Sequence, residues 1–406
     1  MDKKRLVLII LFILATIGIA LLLYWVFFAG KIGPQPISEE QPSGEVEFPE
    51  AEEGALTRPT VGPSQQLPLT DGVAPGVQVA PAAQEESKLK RIVEDQVTGA
   101  RVDSNNAVSF YNELDGRFYR VDAGGNMQQL SDTIFYNVEN VVWAQQNNAA
   151  VLEYPDGSNI YYNFDSGEQV TLPKHWEDFS FSRQADQIAA KSIGLSPDNR
   201  WLVTTNVSGS NIQLVEPLGE NADKVIVDWS PNRQVVALSR TGDPLGADRQ
   251  QVLFVGLNGE NFPAIVVEGR GLETKWSPTG NQLLYSVYSA RTDFKPELWI
   301  VNADPQTMGT NRRVLNLNTW SDKCAFAGER TVYCAVPTEL DAGSGFSPAL
   351  ADGTPDRLMK IDVLTGAQIE VPLSESHVVD SISVDEKTQT VYFTDKQQPG
   401  LFRVSL

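Results

Sequence analysis

From Leu89 to Leu406 the chain alternates short apolar runs with clusters of Gly, Asn, Asp and Pro, and no stretch sustains a helical period. Alternation at period two, punctuated this way, predicts short strands joined by tight turns. One pattern recurs: a bulky residue, a short polar turn, then an apolar strand. It reads Val102-Asp103-Ser104-Asn105 before Ala107, Trp143-Ala144-Gln145-Gln146 before Ala149, and Phe181-Ser182-Arg183-Gln184 before Ile188. The clearest copies are Trp229-Ser230-Pro231-Asn232 before Val235 and Trp276-Ser277-Pro278-Thr279-Gly280 before Leu283. Weaker copies stand at Phe326-Ala327-Gly328-Glu329 and Ser383-Val384-Asp385-Glu386. Each is followed by a second apolar strand that runs into Asn, Asp or Gly, as at Phe118-Tyr119-Arg120-Val121 and Leu298-Trp299-Ile300-Val301.

The two patterns together make two hairpins, hence four strands, per unit. Seven units, 38 to 57 residues apart when counted from Val102, Trp143, Phe181, Trp229, Trp276, Phe326 and Ser383, predict an all-β, seven-bladed β-propeller over residues 88–406. A single four-stranded sheet cannot bury both its faces, so the ring is the stable unit. The last unit ends on its third strand, at Leu401-Phe402-Arg403-Val404. Leu89-Lys90-Arg91-Ile92-Val93, ahead of the first unit, is strand-like and is expected to supply the missing outer strand and close the ring. Trp143, Trp229 and Trp276 are read as packing residues between blades, and the Ser-Pro turns as setters of hairpin geometry. Ser196-Pro197-Asp198-Asn199 is out of phase with the repeat and belongs to the loop before Trp201.

The Trp-Ser-Pro units resemble the repeats of TolB-type propellers, also found in the propeller halves of prolyl-oligopeptidase-like peptidases. The resemblance covers residues 89–406 and is strongest in units four and five. As a whole the chain looks like the membrane-anchored propellers of candidate-phylum bacteria. That likeness implies an extracytoplasmic envelope protein and supplies neither a ligand nor catalytic residues.

The N-terminus changes the picture. Residues 6–28, from Leu6 to Phe28, form an apolar run preceded by Lys3, Lys4 and Arg5. Its 23 residues suffice for a hydrocarbon core of about 30 Å, and the basic flank places the N-terminus in the cytoplasm. The run is too long for a signal-peptide core, and Phe27-Phe28-Ala29-Gly30 is a poor cleavage site. Residues 1–30 are therefore expected to be a cytoplasmic stub and uncleaved single-pass anchor in the cytoplasmic (inner) membrane. Between Lys31 and Lys90 there are nine prolines and ten acidic residues against four basic ones, a composition that cannot offset its ordering entropy. Residues 31–87 are read as a disordered stalk, and 88–406 as the propeller.

Charge and residue inventory narrow the chemistry. A net charge of −20 argues against nucleic acid, whose phosphates need clustered Lys and Arg. The two histidines, His175 and His377, read as ordinary loop residues. No Asp-x-Asp-x-Asp run points to calcium, and no metal or cofactor is expected. Prolyl-oligopeptidase chemistry would need a Gly-x-Ser-x-Gly nucleophile, and none is present. Cys324 and Cys334 flank the turn at Gly328-Glu329-Arg330. Pairing Ala327 with Thr331 sets the two cysteines directly opposite, about 4.5 Å apart at a non-hydrogen-bonded site, which favours a cross-strand disulfide over two buried thiols.

Three connections between second and third strands are long, in units four, five and six, and in a propeller these loops share one face. They carry Arg240, Asp243, Arg249, Tyr288, Arg291, Asp293, Phe294, Lys295 and Phe346, and arginines and aromatics are the usual anchors of interfaces. The expected function is a non-catalytic, monomeric scaffold that binds envelope or surface proteins during envelope or surface-appendage assembly. The alternative is a propeller that binds or hydrolyses carbohydrate or peptidoglycan through a carboxylate-lined central tunnel. The anchor reading predicts that the full-length chain stays with membranes through a detergent-free wash; its release would overturn it.

Overall fold

A computed structural model describes residues 16–19 and 88–406. Four helical residues, 16–19, are all that is described of the expected anchor, and the stalk lies outside the described residues. Among the described residues no helix is long and apolar enough to cross a membrane.

Residues 88–406 fold into seven four-stranded antiparallel sheets. Blade 1 comprises β2 (Val97–Val102), β3 (Val108–Asn112), β4 (Arg117–Val121) and β5 (Met127–Gln129); blade 2 comprises β6 (Asn140–Trp143), β7 (Ala149–Glu153), β8 (Asn159–Asn163) and β9 (Gln169–Leu172). Blade 3 holds β10 (Trp176–Phe181), β11 (Gln187–Ile193), β12 (Arg200–Asn206) and β13 (Gln213–Pro217). Blade 4 holds β14 (Val225–Val227), β15 (Val235–Ser239), β16 (Gln250–Gly256) and β17 (Ile265–Val267). Blade 5 is β18 (Arg270–Trp276), β19 (Gln282–Tyr288), β20 (Pro296–Asn302) and β21 (Arg313–Val314). Blade 6 is β22 (Cys324–Ala327), β23 (Thr331–Pro337), β24 (Asp356–Asp362) and β25 (Gln368–Val371). Blade 7 is β26 (Val379–Asp385), β27 (Thr390–Asp395) and β28 (Leu401–Ser405), with β1 (Lys88–Val93) as its outer strand.

The ring closes as the sequence requires. β1 pairs antiparallel with β28, setting Leu89 against Val404 and Arg91 against Phe402. Leu89 packs into the core between blades 6 and 7, and Val93 into the core between blades 7 and 1. The same seam is tied on the turn side by Asn106, whose amide donates to Asp385 (2.9 Å) while its oxygen accepts from Lys387 (3.0 Å).

In blades 3, 4 and 5 the polar turn after the innermost strand is built around one small buried serine. The hydroxyl of Ser230 accepts the Val235 N–H (2.9 Å), that of Ser277 accepts Gln282 N–H (3.1 Å), and that of Ser182 accepts Gln187 N–H (3.2 Å). All three serines are fully buried, so their hydroxyls replace water at the hairpin ends. In blades 1 and 7, which lack this serine, Asp103 and Asp385 take over the turn N–H groups. Ser196-Pro197-Asp198-Asn199 is a short 3-10 turn leading into β12, as its phase requires.

The tryptophans bridge neighbouring blades. Trp143 of blade 2 donates to the Gly99 carbonyl of blade 1 (2.6 Å), and Trp276 of blade 5 donates to the Asp228 carbonyl beside blade 4 (3.2 Å). Trp229 donates its backbone N–H to Ser180 of blade 3 (2.9 Å). The cores therefore lie between sheets: Leu238, Val252 and Phe254 of blade 4 pack on Trp276, Leu283, Tyr285 and Trp299 of blade 5.

Cys324 and Cys334 are directly opposed, with Ala327 opposite Thr331. Their sulfurs are bonded and their Cα atoms lie 4.1 Å apart. The bridge sits in the apolar core between blades 5 and 6, against Leu284, Leu298, Ile300 and Met359.

Because β1 is the outer strand of the closing blade, deleting residues 88–94 leaves β28 an open edge and uncovers Val404 and Phe402. The melting temperature of the propeller should fall by roughly 10 °C or more, as calorimetry would measure. An unchanged melting curve would refute this closure.

Candidate functional site

The innermost strands run from one face of the ring to the other and line an axial channel. The connections between second and third strands open on one face, the loop face. The polar hairpin turns open on the other, the turn face, which is also where β1 begins, since Lys88 pairs with Ser405 and Ser405 with Thr390.

The long insertions of blades 4, 5 and 6 are on the loop face, but they divide into two groups. The blade 4 insertion continues its own hairpin: Pro244 bridges Gln250, and Asp243 exchanges bonds with Gln251. Arg240 turns back onto the carbonyls of Asp223 and Lys224, and Arg249 faces Glu268 at 3.9 Å. Arg270 of blade 5 holds the tip through the carbonyls of Gly246 (2.8 Å) and Ala247 (2.9 Å).

The insertions of blades 5 and 6 fold onto each other. Gly343 and Gly345 N–H groups donate to the carbonyls of Asp293 (2.9 Å) and Phe294 (2.7 Å). The ring of Phe346 sits edge-on to those of Tyr288 and Phe294, with centroids 5.8 and 5.9 Å apart. This fit requires glycine at 345, because a Cβ there would lie 2.4 Å from Tyr288 Cβ and 2.6 Å from the Phe294 carbonyl oxygen. Phe294 remains 43% and Phe346 60% exposed. Arg291 lies beside them, paired with Glu297 and set over Trp299; the backbone N–H of Lys295 closes the blade 5 turn on the Thr292 carbonyl. Of the nine loop residues, the fold thus gathers Tyr288, Asp293, Phe294 and Phe346 into one platform. Arg291 and Lys295 lie at its edge, and Arg240, Asp243 and Arg249 sit apart in blade 4.

The channel wall carries charges that the repeat pattern concealed. In blades 1, 3, 5 and 7 the innermost strand has a bulge, at residues 99–100, 178–179, 271–272 and 380–381. Gly99 and Gly271 take positive φ there, and so does Asp178 (φ 60°). A left-handed Asp costs about 1 kcal/mol. Its carboxylate offsets this by accepting the Val227 N–H (3.1 Å) and the Lys191 ammonium (3.0 Å), fastening blade 3 to blade 4.

Asp228 follows on blade 4, bonded by the Thr274 hydroxyl (3.2 Å). Burial pushes its carboxyl up to about 7; the Thr274 bond and Lys275 oppose the shift, and the Asp178 charge adds to it. Burial likewise lifts Glu273 to about 7, helped by Asp322. The Lys275 ammonium is pushed down by burial, against the pull of Asp322 and Asp228, and donates to the Cys324 carbonyl (2.6 Å). A signal for these groups did exist, since a charged residue directly precedes the repeat tryptophan in Asp228-Trp229 and Lys275-Trp276.

His377 departs from expectation. It is 1% exposed, its Nδ1 lies 2.8 Å from Asp395, and its ring packs between Phe393 and Phe402. Asp395 also accepts the Val378 N–H (3.0 Å), while Asp356 binds Lys323 (2.8 Å) and the Val379 N–H (2.7 Å). This buried network fastens blade 6 to blade 7, so His377 is part of the interior rather than a loop residue. His175 is exposed between blades 2 and 3.

Cavities mark both ends of the channel. The turn-face mouth, between blades 2 and 5, is about 440 Å³ and reaches Asp228 and Lys275. At the loop-face end a pocket of about 80 Å³ lies among Glu273, Asp322, Asp380 and Lys396, beneath Pro348–Ala351 of the blade 6 insertion. Among the described residues no group of three or more His, Cys, Asp or Glu is placed to hold a metal ion.

These features define the class: a seven-bladed β-propeller with an ordered insertion platform on one face and an open channel mouth on the other. No protein-family profile matches this chain, and no curated protein does. Solved structures similar to it include an oligogalacturonate lyase in complex with manganese (TM-score 0.54, 12% identity, covering 78% of this chain and 93% of that one). The β-propeller domain of Cps50 (Swd1) from Myceliophteria thermophila is similar at a TM-score of 0.52 and 10% identity, over 78% of this chain and 99% of that one. TolB from Acinetobacter baumannii gives a TM-score of 0.44 and 11% identity, over 66% of this chain and 64% of its own. At these identities the first two likenesses establish the ring of blades, and the third adds nothing to them.

The raised carboxyls have a consequence for stability. A carboxyl titrating near 7 in the folded state and near 4 when unfolded keeps its proton longer in the fold. Asp228 and Glu273 therefore contribute stability that is present below pH 4 and lost as pH rises towards 7. Replacing both (Asp228→Asn with Glu273→Gln) should raise the melting temperature at pH 8 relative to the parent and flatten its decline between pH 5 and 8. An unaltered pH profile would refute the assignment.

Proposed function

We propose that this chain is a non-catalytic protein-interaction module of the cell envelope, held at the membrane by residues 6–28, which binds its partner through the loop face of blades 5 and 6. The observation that carries the reading is the platform of Tyr288, Phe294 and Phe346. Two insertions are locked together by backbone bonds and a glycine contact, yet two phenylalanine rings stay exposed. Ordering these loops in advance lowers the entropy lost on binding, and fixed aromatic side chains are what interface hot spots use. Neither phenylalanine ring carries a hydrogen-bonding group, so the platform favours an apolar side chain of a protein over a ligand whose hydroxyls must also be matched. The ring needs no second copy to close its sheets, consistent with a monomeric scaffold.

The test is affinity capture from a solubilised envelope extract with the full-length chain, a variant lacking residues 339–355, and the double variant Phe294→Ala/Phe346→Ala. A protein held by the parent should be lost with the deletion and weakened about tenfold or more by the double variant. Equal capture by all three would overturn the loop-face site.

A further inference from the structure

We propose that the turn-face mouth of the axial channel is a second binding site, for a neutral saccharide of one or two rings entering end-on. This does not depend on the loop-face reading, because the two sites lie at opposite ends of the channel. The mouth has the size of a small-molecule site, at about 440 Å³. Its polar groups converge from different blades: Gln145 and Gln146 from the blade 2 turn, Arg183 from blade 3, Asp228 beside blade 4 and Lys275 from blade 5. Arg183 already spans the rim, donating to the Pro278 carbonyl of blade 5 at 2.6 Å. The two glutamines are exposed, and their amides make no hydrogen bond within the described protein.

The chemistry of this wall selects among ligands. An amide both donates and accepts, which matches a hydroxyl group and is wasted on an anion. Burial raises the Asp228 carboxyl to about 7, and a protonated carboxyl likewise offers both roles. Lys275 spends donors on the Cys324 and Asp322 carbonyls, so its charge is partly committed before anything binds. A chain of net charge −20 repels a small anion on approach, whereas an uncharged saccharide feels no such field. The rings of Pro231 and Pro278 supply apolar surface for the C–H face of a pyranose. Asp228 is the one carboxylate lining this mouth, whereas acid–base hydrolysis of a glycoside uses two. The site is accordingly one for binding.

The experiment uses the full-length chain in a detergent without a sugar headgroup, applied to a printed array of neutral, N-acetylated and uronic oligosaccharides. Neutral or N-acetylated saccharides should be retained, and Gln145→Ala/Gln146→Ala should weaken retention by about tenfold. The melting temperature of that variant should equal the parent's, since both side chains are exposed. A variant lacking residues 339–355 should bind saccharide as the parent does, which separates this site from the loop face. Titration in solution with a retained saccharide should shift tryptophan emission, because Trp229 and Trp276 line the mouth. Retention of no neutral saccharide, retention equal in the glutamine variant, or a salt-sensitive preference for uronates would overturn the proposal.

Discussion

Everything else in this protein depends on one strand pairing. Each blade has two apolar faces, and each face is covered only because the neighbouring blade is in place. A ring satisfies this at every blade, but only if the chain ends meet. The pairing of Lys88–Val93 with Leu401–Ser405 makes that meeting, and it covers the open edge that β28 would otherwise present. The side-chain ties around Asn106, Asp385 and Lys387 stand at the same seam. The closure also holds the loop insertions and the channel mouth in fixed relation, since both are made from several blades.

The innermost strands serve two environments at once. Their side chains pack into the cores on both sides, as Cys324 and Ala325 of β22 do, while their free edge lines the channel. Bulges let this wall carry charge without breaking the sheet. Asp178 uses the position to reach the backbone of the next blade, whereas at Gly99 and Gly271 the same space is taken by Val141 and by the ring of Tyr288. Further out, Lys323–Asp356 and His377–Asp395 are buried completely. Buried pairs of this kind contribute little net stability, yet losing one member leaves an uncompensated charge worth about 3–5 kcal/mol. Their effect is to fix how blade 6 meets blade 7.

The two faces of the ring differ because their connections differ in length. At the turn face the tight first hairpins leave polar groups converging on the channel. Long insertions on blades 5 and 6 build an apolar relief on the loop face and roof the channel at that end, through Pro348–Ala351. One scaffold thus presents two chemically distinct surfaces, an exposed aromatic one on the loop face and a polar one at the channel mouth.

Much of this was legible in the sequence. Strand periodicity, the recurring Trp-Ser-Pro turn and the leftover strand before Val97 determined the blade count and the closure, because a repeat that must bury its faces on its neighbours writes the same pattern each time. The cysteine register followed from counting across one turn, a local relation. Loop length located the insertions, and with them Tyr288, Phe294 and Phe346. Only the tertiary structure decided which loop residues meet: Arg240, Asp243 and Arg249 stay in blade 4, while Gly345 lets two insertions close over Tyr288. The charges beside the repeat tryptophans were visible as residues, but their burial, like that of His377, was not. The surroundings of Asp228 and Lys275 come from several blades and those of His377 from blades 6 and 7, and no local pattern records which side chains a ring will bring face to face.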